Sequence, residues 1–331
     1  MGGCRYSSTM VQSLARARPA LRWSVASPAD AESVRRVSAA LNVSPEIAAL
    51  LVARGYDDPE QAKRFLKPSL AQLHDPLAMS GMELAVERLA RAIERGETVL
   101  VHGDYDVDGI CSTALMVRVL RRLGGKAVPF IPHRLRDGYD LSDAGVRAAH
   151  EAGAKVVLTC DCGTSAHEAV ERLVSSGVDV IVSDHHLARA APPPCLAVLN
   201  PRLPTCPYPD KDLCAAGIAF KLAVALLRHM GANVNFAYRM LDLVALATVA
   251  DVAPLRGENR VLVRYGMRLM GESRLPGVRA LVEAAGLEGK PLTAGRVGFI
   301  LAPRLNAVGR MDWGLRGVEL LLAEEDAEAR R

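Results

Sequence analysis

Three stretches of the 331-residue sequence concentrate carboxylates and imidazoles: His102-Gly-Asp104-Tyr-Asp106-Val-Asp108-Gly109, Asp161-Cys-Gly163 and Ser183-Asp184-His185-His186. Asp104, Asp106 and Asp108 recur at a spacing of two, which along an extended segment aims all three side chains the same way. Three like charges that close repel, and a cation among them removes the cost. The pattern opens like a calcium loop, but that loop needs an acid at its twelfth position, where this sequence has Leu115. Taken alone, the stretch reads equally well as a metal site or a solvated turn. His185 and His186, on an extended segment, point apart, so that one could bind metal while the other faces substrate. Asp184 could orient a ring by accepting its second N–H.

Mixed carboxylate and imidazole donors suit Mn²⁺, Mg²⁺ or Zn²⁺, and the lack of thiolate in the set disfavours structural zinc. Four or more carboxylates can hold two divalent ions about 3.5–4 Å apart, activating a water for in-line attack at phosphorus. The chemistry is therefore metal-assisted hydrolysis of a phosphoester or phosphoanhydride. A Gly-x-Ser-x-Gly nucleophile elbow and a Walker A loop are both absent from the sequence.

Such a centre needs a scaffold that brings the three stretches to one place. Short apolar runs at 98–101, 127–131, 155–159, 178–182 and 196–199 read as buried strands, with helical patterns at 109–123, 143–152 and 165–175 between the first four. That alternation predicts an α/β fold with a mostly parallel, doubly wound sheet over 76–200. Ligands bind at the carboxyl ends of such strands, and the three loaded stretches follow the first, third and fourth. Residues 30–75 read as short N-terminal helices, with Ser44 and Pro45 as N-cap and first helical residue. Met82, Val86, Leu89 and Ile93 form a helical stripe, and from Leu213 onward the pattern is helical at 214–230, 236–250, 260–271, 276–285 and 293–301.

Composition narrows the class. Half the residues are hydrophobic and the net charge is +4, which excludes disorder. No apolar run reaches the roughly 18 residues of a membrane span. Arg5, Arg16, Arg18 and Arg22 sit in an acid-free first 22 residues, read as a disordered extension; beyond them acids and bases balance, so an anionic substrate must be held by a local patch or by metal. The seven cysteines lack any Cys-x-x-Cys pair and read as reduced thiols of a cytoplasmic protein.

In order, the three stretches and Ala247-Thr-Val-Ala-Asp251-Val252 resemble the motifs of the DHH phosphoesterase superfamily, most closely its RecJ-like single-strand-specific exonucleases. Pro132-His-Arg134, Asp137-Gly-Tyr139, Pro303-Arg-Leu-Asn306-Ala-Val-Gly-Arg310, Arg54-Gly-Tyr56 and Leu73-His-Asp-Pro76 extend the likeness over 23–331. The resemblance implies a 23–75 helical region, a 76–253 catalytic domain and a 254–331 helical connecting segment. It implies two Mn²⁺ or Mg²⁺ ions held by Asp106, Asp108, Asp161, His185 and Asp251, with Asp161 bridging and His186 facing the scissile phosphate. Either His102 or Asp104 completes the set. Arg134, with Arg136 beside it, and Arg304, Asn306 and Arg310 become phosphate contacts.

The implied activity is 5′→3′ hydrolysis of single-stranded DNA to 5′-mononucleotides in repair and recombination. Alternatives are the same site acting on nano-RNA, a cyclic dinucleotide or pyrophosphate, or a non-catalytic nucleic-acid-binding relative. The family continues into a DHH-associated domain and an oligonucleotide-binding fold, whereas this sequence stops after Glu324-Glu-Asp326, so a truncated chain is expected. Aromatic content of 4% leaves few platforms for stacking single-stranded bases.

Overall fold

The computed structural model describes residues 27–188, 191–311 and 314–331, so the expectations for residues 1–22, including Cys4, lie outside the described residues. Two compact units make up the chain, Met1–Lys63 and Arg64–Arg331. In the first, α1 (Ala31–Leu41) and α2 (Pro45–Ala53) pack together, each started by a side-chain cap: Asp30 accepts from Ser33 N, and Ser44 from Ile47 N ahead of Pro45. The next helix, α3, spans Pro59–Leu66.

The second unit is built on α4 (Met82–Glu94), β1 (Thr98–Gly103), α5 (Val107–Arg122), β2 (Lys126–Phe130), α6 (Asp143–Glu151), β3 (Val156–Cys160), α7 (His167–Ser175), β4 (Asp179–Ser183) and β5 (Ala197–Leu199). All four strand pairings are parallel, in the order β2-β1-β3-β4-β5. The strands are apolar on both faces because both are covered. Val99, Val101, Val156 and Leu158 join a core with α4, α5 and α8 (Ala215–His229), while Leu100 and Val157 face Val146, Val170 and Leu173 of α6 and α7. Helix α5 is the keystone: 13 of its 16 residues are buried. Cutting one of them, Leu115, back to alanine would cost about 2–5 kcal/mol.

The remaining helices are α9 (Asn235–Tyr238), α10 (Leu241–Ala250), α11 (Gly257–Met270), α12 (Pro276–Ala284), α13 (Ala294–Arg296), α14 (Ala302–Met311), α15 (Leu315–Leu322) and α16 (Asp326–Arg330). A π-helical turn, Val297–Leu301, joins α13 to α14. The helix expected over 236–250 is broken at Arg239 and Met240. The break lets Met240 bury its side chain and turns α10 into the core, so tertiary packing overrides the continuous pattern. Among the described residues, no single helix is long and apolar enough to cross a membrane.

Connections from β1 run to β2 on one side, and β3 lies on the other. The winding therefore reverses between β1 and β3, where a crevice opens at their carboxyl ends.

Candidate metal centre

At the end of β1, Gly103 pairs with Cys160 of β3, and the ladder continues through Asp104 N to Cys160 O at 3.2 Å. Asp104 and Asp161 thus leave neighbouring strands side by side. Asp106 is the N-cap of α5, accepting from Asp108 N and Gly109 N at 2.9 and 3.1 Å. The three aspartates are therefore not on one extended segment, as their spacing suggested: the chain turns from strand into helix between them. Gly109 permits that turn, since a Cβ there would stand 2.4 Å from Asp104 O. Asp108, in the first turn of α5, accepts from Ala215 N and Ala216 N at 2.7 Å each, so its carboxylate caps the positive end of α8.

Asp161 adopts the left-handed φ of +71° and is tied to β4 through Asp161 N to Ser183 O at 3.0 Å. Beyond β4 the two histidines do not point apart. Asp184 Oδ1 accepts from His185 N (2.7 Å) and His186 N (3.1 Å), which curls the chain, and the ring centroids lie 4.7 Å apart. The same oxygen bonds His186 Nδ1 at 2.8 Å, the ring-orienting role expected of Asp184. Asp251 follows the last residue of α10 and approaches from the helical side.

These elements bring seven side chains together. Asp104, Asp106 and Asp161 offer oxygens within 4.8 Å of one another; carboxylate oxygens and ring nitrogens come equally close among Asp108, His185 and Asp251, and among Asp161, His185 and His186. His185 Nε2 is 3.1 Å from Asp161 Oδ1 and 3.8 Å from Asp108 Oδ2, and its Nδ1 is 3.9 Å from Asp251 Oδ2. Burial, then the charge of Asp106, pushes Asp104 up to about 7 and Asp251 up to about 6. Asp161 and Asp108 are raised by burial and by their neighbours' charges. His185 is pushed down to about 4 by burial and by the charge of His186, leaving it neutral. His186 is raised by its hydrogen bond to Asp184. Burial works against ionising Asp184, but bonds from His186 and Thr164 hold its carboxyl below the usual range.

Asp104 Oδ1, Asp161 Oδ1 and His185 Nδ1 are buried without a hydrogen-bond partner. Orphaned acceptors among crowded carboxylates, beside a neutral imidazole, fit a divalent cation.

Known proteins place this geometry. The DHH family, N-terminal domain, matches residues 98–248, from β1 into α10. The single-stranded-DNA-specific exonuclease RecJ of Bacillus subtilis is 36% identical over 309 residues, covering 93% of this chain and 38% of that relative. RecJ of Escherichia coli is 42% identical over 298 residues, covering 86% of this chain and 51% of the relative. The crystal structure of RecJ in complex with Mn²⁺ from Thermus thermophilus matches with a TM-score of 0.79 at 38% identity, over 93% of this chain and 44% of that one. Residues 98–248 belong to the DHH family. The chain spans about half or less of the curated relatives it matches.

His102 and Asp104 take different positions relative to this cluster. Asp104 joins the cluster. His102 is fully buried with its ring against Phe130 and its Nδ1 3.5 Å from Cys162 Sγ, and burial pushes it down to about 4. Asn306 lines a cavity of about 450 Å³ together with Asp106, Asp108 and Asp251. Arg134 is exposed and lies over the Tyr105 ring at 5.1 Å, from which Tyr139 and His186 continue an aromatic row at 6.3 and 5.9 Å. Arg136 instead lines a separate cleft of about 760 Å³ at the starts of α6 and α7. Arg304 is exposed, bonded back to Ile300 O, and does not line the 450 Å³ cavity. The side chain of Arg310 lies outside the described residues.

Sequence reasoning gave no role to three groups beside the centre. Asn200 is buried and donates to His186 O at 2.9 Å. The Tyr139 hydroxyl lies 3.2 Å from His186 Nε2. The charge of Arg202 helps to lower both His185 and Asp251. Tyr139 stood in the quoted Asp137-Gly-Tyr139 stretch without a role, while Asn200 and Arg202 reach the site on a loop after β5 whose course has no sequence period.

Proposed function

We propose that this chain is the catalytic part of a metal-dependent exonuclease that hydrolyses single-stranded DNA 5′→3′ to 5′-mononucleotides, in DNA repair and recombination in the cytoplasm. The observation that carries the reading is the cluster of orphaned carboxylates at the β1/β3 crevice, in a chain similar to proteins named single-stranded-DNA-specific exonucleases.

Asp104, Asp106 and Asp161 would hold one Mn²⁺ or Mg²⁺, and Asp108, Asp251 and His185 a second, with Asp161 shared. Bound ions acidify water and neutralise charge on the phosphoryl oxygens. The chain's own residues do the rest. Neutral His185 offers a ring lone pair. His186, 48% exposed and with its protonated form favoured by the bond to Asp184, would donate a hydrogen bond to a phosphoryl oxygen as charge grows there. Asn306 inside the cavity and Arg134 over the Tyr105 ring would contact the phosphate backbone, and Arg304, exposed on α14, would meet the strand farther from the ions.

The test is manganese-dependent digestion of 5′-labelled single-stranded DNA by the purified chain beside Asp161→Ala. Labelled mononucleotide from the parent, falling on the order of a thousandfold in the variant, is expected. Manganese binding by calorimetry without cleavage of DNA would remove DNA as the substrate of this chain; loss of both would remove the metal centre.

A further inference from the structure

Phenylalanine is scarce here and, with one exception, covered. Of five residues, Phe65, Phe130, Phe220 and Phe236 are buried or half-buried, while Phe299 is 86% exposed. A single exposed apolar side chain ordinarily means nothing, so its position has to carry the argument. Phe299 is the middle residue of the π-helical turn Val297–Leu301, a winding that is uncommon and frequent at functional sites. That turn is pressed onto α10, where a Cβ on Gly298 would meet Val249 Cγ1 at 3.3 Å.

Gly298, Ala302, Pro303 and Asn306 line the cavity that contains Asp106, Asp108 and Asp251. Phe299 directly follows Gly298 and comes shortly before Ala302 and Pro303, so the segment that carries it also lines that cavity. Val252, directly after Asp251, is 85% exposed and held at a φ of +57°, a costly conformation for a β-branched residue. Two large apolar side chains therefore stand in water beside carboxylates.

We propose that Phe299 is the platform on which a nucleobase of the substrate strand stacks beside the metal centre. The inference rests on the nuclease reading and deepens it. Carboxylates and their ions engage phosphate and sugar oxygens but offer nothing to a base, and a nucleotide whose phosphate enters the cavity must put its base at the rim. Base–aromatic stacking is tolerant of sequence because every base has a π-face. A protein partner fits less well, since two side chains fall far short of the apolar area that a stable protein interface covers.

The test compares parent and Phe299→Ala on an intact single strand and on the same strand made abasic through its cleaved end. In the parent, removing the bases raises KM roughly tenfold. In Phe299→Ala, KM on the intact strand is already raised by that factor and base removal adds less than about twofold, while Phe299→Trp restores the parent pattern. Equal sensitivity to base removal in parent and Phe299→Ala overturns the platform and leaves the nuclease reading standing. A changed melting temperature or self-association in Phe299→Ala, with KM unmoved, assigns the residue to packing or to a protein contact and also overturns it. If the parent cuts neither strand, the nuclease reading has failed; fluorescence anisotropy of the same four pairs then decides the platform by the same coupling between variant and base.

Discussion

Two places in the Arg64–Arg331 unit bury charge, and they handle it in opposite ways. Under α8, Lys221 and Glu258 are 2% and 1% exposed and are bonded to each other at 2.5 Å. Lys221 also donates to His74 O at 2.8 Å, and Glu258 accepts from His74 N and the Tyr208 hydroxyl, each at 2.7 Å. Both charges have their partners, and the network ties the 70–76 segment to α8 and α11. At the β1/β3 crevice, by contrast, five aspartates crowd around the neutral His185 and leave buried atoms unbonded. A satisfied buried pair holds structure together; an unsatisfied cluster of one sign stores a demand for a ligand.

The contrast breaks most visibly in stability. Lys221→Met strands Glu258 in the core and is expected to cost about 3–5 kcal/mol in urea unfolding, with or without manganese. Asp161→Asn removes one of several repelling carboxylates and is expected to raise the melting temperature of the metal-free protein. A metal-free Asp161→Asn protein less stable than its parent would mean that the crevice acids are already satisfied.

A smaller effect comes from the group that aims the outer histidine. Asp184→Asn keeps the shape but loses the charge that raises His186, and about a 10–100-fold loss of DNA hydrolysis is expected with manganese affinity nearly kept. An equal fall in manganese affinity would place Asp184 in support of the ions rather than of His186.

The smallest effect is in pH. Asp104 and Asp251 are raised to about 7 and about 6, so the folded, metal-free chain holds protons that the unfolded chain, with carboxyls near about 4, releases. Asp108, raised to about 8, acts the same way, while His185 and His102, pushed down to about 4, oppose it. With the carboxyls outweighing the two imidazoles, stability in chelator should fall as pH rises from about 4 to about 8, and saturating manganese should reverse the trend. A flat profile in chelator, followed by thermal melting at constant ionic strength, would show that water relieves the cluster without metal.

Much of this was legible because buried parallel strands write themselves as short apolar runs, and all five were found in the sequence within a residue or two of β1–β5. Acids placed directly after strands could be assigned to one edge on topology alone. Side-chain direction was less legible. The even spacing of Asp104, Asp106 and Asp108 suggested one extended face, yet a helix begins among them. His185 and His186 suggested opposite faces, yet a hydrogen-bonded turn at Asp184 folds them together.

Sequence by itself determined the fold class, the edge on which a site must lie and the residue types that bind metal there, since strand period and donor chemistry are local properties. Tertiary structure alone decided that Asp104 and not His102 faces the cluster, that Asp108 caps α8, and that Phe299 stays exposed. Those outcomes depend on which distant segments pack together, and packing across more than a hundred residues leaves no period in the chain to read.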